Sequence, residues 1–151
     1  MKPYKLLAII LTAFCCAGCT QNNGRIGRLF GSWVLETALI NGKPIELPAG
    51  SNTYWSFQAD IIRVTLEEEH YVAQSRYGTF RELPGEVLQL RFDYSDDGSP
   101  AGSGSNAAPE WMGFPASGTF NLQSSDVGGK LKLMYYRTPE ETLVYYFAKT
   151  W

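Results

Sequence analysis

The chain is poor in the residues that most enzyme chemistry needs. It has three cysteines, Cys15, Cys16 and Cys19, all near the amino end, and one histidine, His70. One imidazole and no thiol beyond residue 19 leave no nitrogen-and-sulfur set for zinc. A Ser-His-Asp arrangement would have to use His70, whose setting Glu67-Glu68-Glu69-His70-Tyr71 reads as a solvated turn between strands. Basic residues are also scarce, 13 against 15 acidic for a net charge of −2, so the basic face that nucleic acid requires is missing. No glycine-rich loop follows a strand and opens a helix to cradle phosphate. Asp93-Tyr94-Ser95-Asp96-Asp97-Gly98 matches the first half of a calcium loop. Its twelfth position is Gly104, where an EF-hand needs a bidentate glutamate. Glu140 and Glu141 are adjacent, so in extended chain they point apart, a poor start for paired acid–base work. The expectation is a non-enzymatic protein with no cofactor, no metal and no nucleic-acid partner.

What is present begins with an export signal. Lys2 and Lys5 precede an apolar run from Leu6 to Phe14, too short for a span of ~20 residues but suited to a signal peptide. Cys16-Ala17-Gly18-Cys19 then resembles the bacterial lipobox, with Cys16 where leucine is usual. The resemblance implies cleavage before Cys19, with diacylglycerol on its sulfur and a further acyl chain such as palmitate on its amine. Several acyl chains meet the two-signal requirement for stable anchoring. Cys15 and Cys16 leave with residues 1–18, so no pair remains for a disulfide. Loss of Lys2 and Lys5 leaves 11 basic against 15 acidic side chains, a net of about −4. Thr20 stands where an inner-membrane retention signal often places aspartate, and Gln21-Asn22-Asn23-Gly24 lacks an acidic surface-export cluster. By that analogy the expected address is the outer membrane of a Gram-negative envelope, facing the periplasm, with 19–28 as a tether.

From Leu29 the pattern alternates with period two. Ile62, Val64 and Leu66 oppose Arg63, Thr65 and Glu67; Leu88, Leu90, Phe92 and Tyr94 oppose Gln89, Arg91 and Asp93; Leu131, Leu133 and Tyr135 oppose Lys130, Lys132 and Met134. Strands of this kind bury one face and wet the other, as antiparallel sheets do. Asn41-Gly42 is the strongest hairpin signal, and Pro84-Gly85 and Gly128-Gly129 mark two more. The reading is an all-β domain over 29–151 of about eight strands: 31–40, 54–59, 61–67, 70–82 (with a break considered at Gly78), 86–94, 117–123, 130–137 and 142–149, with 43–47 a marginal addition. Gly78-Thr79-Phe80 before Leu88-Gln89-Leu90, and Gly118-Thr119-Phe120 before Leu131-Lys132-Leu133, look like one hairpin used twice. Pro139-Glu140-Glu141 is either a single helical turn or a tight loop.

Residues from Ser95 to Phe114 break the alternation. Asp, Gly, Ser and Pro dominate its first half, yet it ends in Trp111, Met112 and Phe114, which are costly to leave in water. It reads as an arm with an apolar tip that docks either on its own core or on a partner.

Gly31-Ser32-Trp33 at the start of the first strand carries the Gly-x-Trp signature of lipocalins. The stretch from Leu29 to Trp151 resembles the lipocalin-like domains of bacterial lipoproteins, which end on an aromatic strand such as Leu143-Val144-Tyr145-Tyr146-Phe147. The resemblance implies a small antiparallel barrel whose Trp33 packs under its strands. Trp33 to Phe57, with Ile40-Asn41-Gly42-Lys43-Pro44-Ile45, is also similar to the opening of META-domain lipoproteins, but their later Gly-Cys-Asn segment is absent. Aromatic residues make up 14% of the chain, more than a small core needs. Trp55, Phe57, Tyr71, Tyr77, Trp111, Phe114, Tyr135 and Tyr145 are the candidate ligand-binding residues, because rings with polar tips suit a pocket for a small hydrophobic or amphipathic molecule. The alternative is a filled barrel that docks an envelope protein through the 95–114 loop.

Overall fold

The computed structural model describes residues 27–69, 71–92 and 107–151. The lipobox, the Cys19 attachment site, most of the tether, His70 and the Asp93–Gly98 acidic run lie outside them.

The described residues build one antiparallel sheet: β1 (Gly31–Ile40), β2 (Lys43–Pro44), β3 (Asn52–Gln58), β4 (Ile61–Glu68), β5 (Tyr71–Leu83), β6 (Val87–Arg91), β7 (Thr119–Val127), β8 (Lys130–Thr138) and β9 (Glu141–Lys149). From β4 to β9 each strand pairs with its predecessor in sequence. β3 pairs with β1, and β9 returns to β1, so eight strands close into a lipocalin-like barrel with β2 appended to the end of β1. Closure removes the free sheet edges that would otherwise template aggregation.

Alternation sets the register. Trp33 lies opposite Trp55, Trp55 opposite Val64, and Leu133 opposite Tyr145, all buried and inward. The Asn41-Gly42 turn has φ of 49° and 77°, the positive pair that a two-residue hairpin demands. The twice-used hairpin corresponds to β5–β6 and β7–β8.

Several expected boundaries shift for physical reasons. The segment 43–47 forms a strand only at Lys43–Pro44, and beyond it the Ile45 N–H makes one more bond to the Ala38 carbonyl at 2.9 Å. The strand expected over 86–94 ends at Arg91, whereas that expected over 117–123 continues to Val127. Gly78 does not break β5: it faces inward where any Cβ would lie 2.5 Å from the Arg91 carbonyl and 2.8 Å from the Phe92 ring, so only glycine fits there. Pro139-Glu140 is a tight turn between β8 and β9, not a helical one.

The two ends of the barrel differ, and each has its own cover. The lower end holds the start of β1. There Leu29 is buried and accepts a 2.8 Å hydrogen bond from Trp33 Nε1. Arg28 reaches Glu82 at 2.9 Å and also bonds the Ser124 hydroxyl, tying this cover to β5 and β7. Lys149 Nζ lies 5.3 Å from the Trp33 ring centroid, and Thr150 donates twice to the Ser32 carbonyl. Gly31 has φ +114°, and a Cβ on it would fall 2.2 Å from the Trp151 carbonyl oxygen. The Gly-x-Trp pattern thus has a steric cause: glycine admits the returning carboxyl end, and the tryptophan closes the floor beneath it.

Candidate functional site

The upper end is covered by the second half of the β6–β7 connection. A 3-10 turn over Glu110–Met112 ends at Gly113 in a left-handed conformation, φ 85°. That turn aims Met112 and Phe114 into the barrel, where both are buried. The tip therefore docks on its own core. Tyr145, fully buried on β9, donates a 2.6 Å hydrogen bond to the Met112 carbonyl, and Trp55 Nε1 donates to Met112 Sδ at 3.1 Å. Phe114 stacks on Tyr135 and Tyr145 with centroids 5.2 and 5.8 Å apart, and meets the Phe120 edge at 5.1 Å. From outside, Arg137 Nη1 donates to the Gly113 carbonyl at 2.9 Å and Nε to Glu141 at 2.5 Å. The plug is held by rings below and by a latch above.

These contacts leave their mark on the titrating groups. Burial pushes the Tyr145 phenol far above its usual range, and burial also raises Tyr135, offset in part by Arg137. The hydrogen bond from Arg137 holds the Glu141 carboxyl below the usual range and raises the guanidinium in return. None of these shifts poises a group for proton transfer near neutrality.

The eight candidate ligand-binding aromatics do not converge on one open surface. Trp55, Phe57, Phe114 and Tyr145 lie inside the barrel, with Tyr135 half-buried beside them. Their rings occupy the interior they were expected to line. Trp111 sits half-buried in the upper cover. Tyr71 and Tyr77, 62% and 41% exposed, lie outside; Tyr77 pairs with the outward Arg63 and Tyr71 bonds Glu68. Gly31 and Trp33 belong to the floor.

Other residues matter that the sequence reading passed over. Across β3, β4 and β5, Thr53, Leu66 and Gln74 form one inward cross-strand row, and Trp55, Val64 and Arg76 form the next row below. Arg76 is half-buried at the mouth of the barrel, donating to the exposed Gln74 Oε1 at 3.0 Å, with its guanidinium carbon 5.6 Å from the Trp111 ring centroid. Thr53 Oγ1, Arg76 Nε and Trp111 Nε1 are buried atoms with no hydrogen-bond partner. The signal for them was in the sequence. Within 71–83 the row Gln74, Arg76, Gly78 carries no apolar face, although its strand belongs to a closed sheet.

At the lower end a cleft of about 500 Å³ opens between the floor and the β3–β4 turn. Leu29, Phe30, Phe57 and Phe80 form its apolar wall, and Asp60 and Arg81 stand at its rim. Among the described residues no group of three His, Cys, Asp or Glu side chains is placed to hold a metal ion, and no helix is long and apolar enough to cross a membrane.

No family model matches the chain, and comparison with curated proteins gives no match. Among solved structures, the chain is similar to an uncharacterized protein from Bacteroides eggerthii DSM 20697, with a TM-score of 0.50 and 15% identity. The match covers 78% of this chain and 98% of that one. At that identity the likeness concerns the fold alone.

Proposed function

We propose that this chain is a lipid-anchored, non-enzymatic binding protein of the cell envelope, in which the barrel interior is a packed scaffold and recognition falls on the surface and the ends. The observation that carries this reading is the plug. Met112 and Phe114 are buried inside the barrel, where Trp55 and Tyr145 donate to Met112 and Phe114 stacks on Tyr145. A hydrophobic ligand of a few hundred Å³ would have to expel both side chains and leave the Tyr145 hydroxyl unpaired, a cost that most such ligands do not recover. Exposed Tyr71, Tyr77 and Tyr136 supply the amphipathic rings common in protein interfaces. Anchoring rests on the lipobox ending at Cys19. Seven residues lie between Cys19 and Gly27, and the eight steps along the chain span at most ~28 Å, so the lower end stays near the outer membrane and the upper end faces the periplasm.

Native mass spectrometry of the full chain, released from detergent after exposure to an envelope lipid extract, tests the reading. The expected spectrum carries no apolar adduct. A retained adduct that Trp55→Ala abolishes would overturn the packed-scaffold reading.

The lower cleft favours a second reading, a small amphipathic ligand held at the end rather than inside. Its volume falls in the range of ligand sites, and it sets an apolar wall beneath a charged rim. An adduct lost on Phe80→Ser but kept in Trp55→Ala would select it.

A further inference from the structure

We propose that the lower end of the barrel is a membrane-docking surface, whose apolar rim and open cleft are covered by the phospholipid bilayer itself. The inference rests on the anchoring reading and goes beyond it: the tether brings this end to the membrane, and the rim enters it.

In an antiparallel barrel alternate turns share an end. The β3–β4, β5–β6 and β7–β8 turns therefore lie together with the start of β1 and the end of β9. Each of the three is flanked by an exposed aliphatic side chain, Ile61, Leu83 and Val127, and Trp151, 68% exposed, follows β9. Singly such residues are ordinary on a protein surface; gathered at one end they form a patch. The other large exposed hydrophobics among the described residues are all tyrosines, Tyr71 and Tyr136 toward the upper end and Tyr77 on the flank. The upper turns present Asn41-Gly42, Glu68-Glu69 and Pro139-Glu140 instead.

The members of the patch touch or share a hollow. Phe30 meets the Trp151 ring edge to face, with centroids 6.1 Å apart. Phe30, Leu83 and the Gln58-Ala59-Asp60 turn that leads into Ile61 line the one cleft. Leu29, in the wall of that cleft, also lines a smaller hollow reaching Asp126, the neighbour of Val127.

Three features favour lipid over a protein partner. Toward Cys19 the chain leaves the barrel at Gly27, on the wall of the cleft, and Cys19 is at most ~28 Å of chain away. Aliphatic tips with a tryptophan among them suit the boundary between headgroups and acyl chains. The charges beside them are of both signs, Arg28 and Arg81 against Asp60 and Glu82, so entry draws on apolar burial and not on lipid charge.

The test uses the chain isolated from bacterial membranes and returned to phosphatidylcholine vesicles, with and without bromine on the acyl chains. Bromine quenches only an indole within its reach. The chain has four tryptophans, and the contribution of Trp151 or Trp111 is the emission lost in Trp151→Phe or Trp111→Phe. The Trp151 contribution should fall at least about twofold, equally when phosphatidylglycerol is included, while that of Trp111 at the opposite end holds. Ile61→Asp, Leu83→Asp and Val127→Asp combined should restore most of it. Should that variant fail to fold, Leu83→Asp alone takes its place, with a smaller recovery in the same direction. Three results would overturn the docking. Trp151 unquenched on vesicles that retain the chain would mean a tether alone. Trp151 and Trp111 quenched alike would mean no preferred end. A blue-shifted Trp151 that ignores bromine and follows the protein-to-lipid ratio would mean that a second copy covers the rim. The mass of the amino-terminal peptide separates docking from anchoring. Acylated Cys19 with Trp151 unquenched keeps the anchor and removes the docking; bare Cys19 with Trp151 quenched does the reverse; bare Cys19 without quenching removes both.

Discussion

The floor and the upper end of this barrel are both closed by segments outside the strands, but they are closed differently. At the floor each polar group that seals the barrel has a named partner: Trp33 with Leu29, Arg28 with Glu82 and Ser124, Thr150 with Ser32. At the upper end the apolar part of the plug is equally well seated, yet Thr53, Arg76 and Trp111 each keep a buried atom unpaired. A buried donor without an acceptor costs about 1–3 kcal/mol, so the polar groups of one end are paired for stability and those of the other give some of it up. Proteins keep such a cost where something other than folding requires it.

The largest blow to this contrast comes from removing the plug's central ring. Phe114→Ala should destabilise the fold by about 3–5 kcal/mol, the usual range for a buried phenylalanine, since it strips Tyr135, Tyr145 and Phe120 of a shared neighbour. Chemical denaturation measures it. A loss under 1 kcal/mol would mean that the upper cover lifts at little cost, and the barrel would then be an open one. At the floor, Trp33→Phe keeps most of the ring but deletes the donor to Leu29, leaving that buried carbonyl unpaired. It should cost about 1–3 kcal/mol by the same measurement.

The contrast explains how much of the molecule could be read in advance. Residues 61–67 and 130–137 each have one clean apolar face, so a slip of one residue would expose it, and period alone dictates both strand and register. Asn41-Gly42 names its own turn. The plug offers no such period. Met112 and Phe114 announce only that they must be buried, and the place depends on Gly113 adopting φ 85° and on Tyr145, 33 residues away from Met112, supplying a donor. Arg76 was hidden differently. Its inward position follows from pairing with Val64, and β5 shifts register near Leu66/Glu67, which no local pattern shows. Its row nonetheless broke the rule that the strands around it obey, and that departure fell on the candidate site.

A finer test reverses the sign of the floor experiment. Thr53→Val replaces an unpaired buried hydroxyl with a methyl of nearly the same size, so it should stabilise the protein without added ligand by about 1 kcal/mol. Polar deletion then costs stability at one end and gains it at the other. If Thr53→Val destabilises instead, the hydroxyl is paired in solution, and the two ends are alike.

The smallest effect concerns the latch that holds the plug from outside. Arg137 donates to Gly113 in the plug and to Glu141 at the start of β9, and that second bond holds the Glu141 carboxyl below the ordinary carboxylate range. A carboxyl whose pKa is lower folded than unfolded adds stability above the unfolded value and loses it as pH falls through the folded one. The latch should therefore stay intact at pH 5 and release only below the ordinary carboxylate range. Carboxyl carbon shifts should show Glu141 titrating below the ordinary glutamate midpoint, and Arg137→Gln should return it to the ordinary value. With the latch gone the Met112 and Gly113 amides should exchange faster while those of Leu29 and Trp33 hold, since the floor has no link to this pair. Equal acceleration at both ends would mean that the covers open together, and the barrel would then have one closure rather than two.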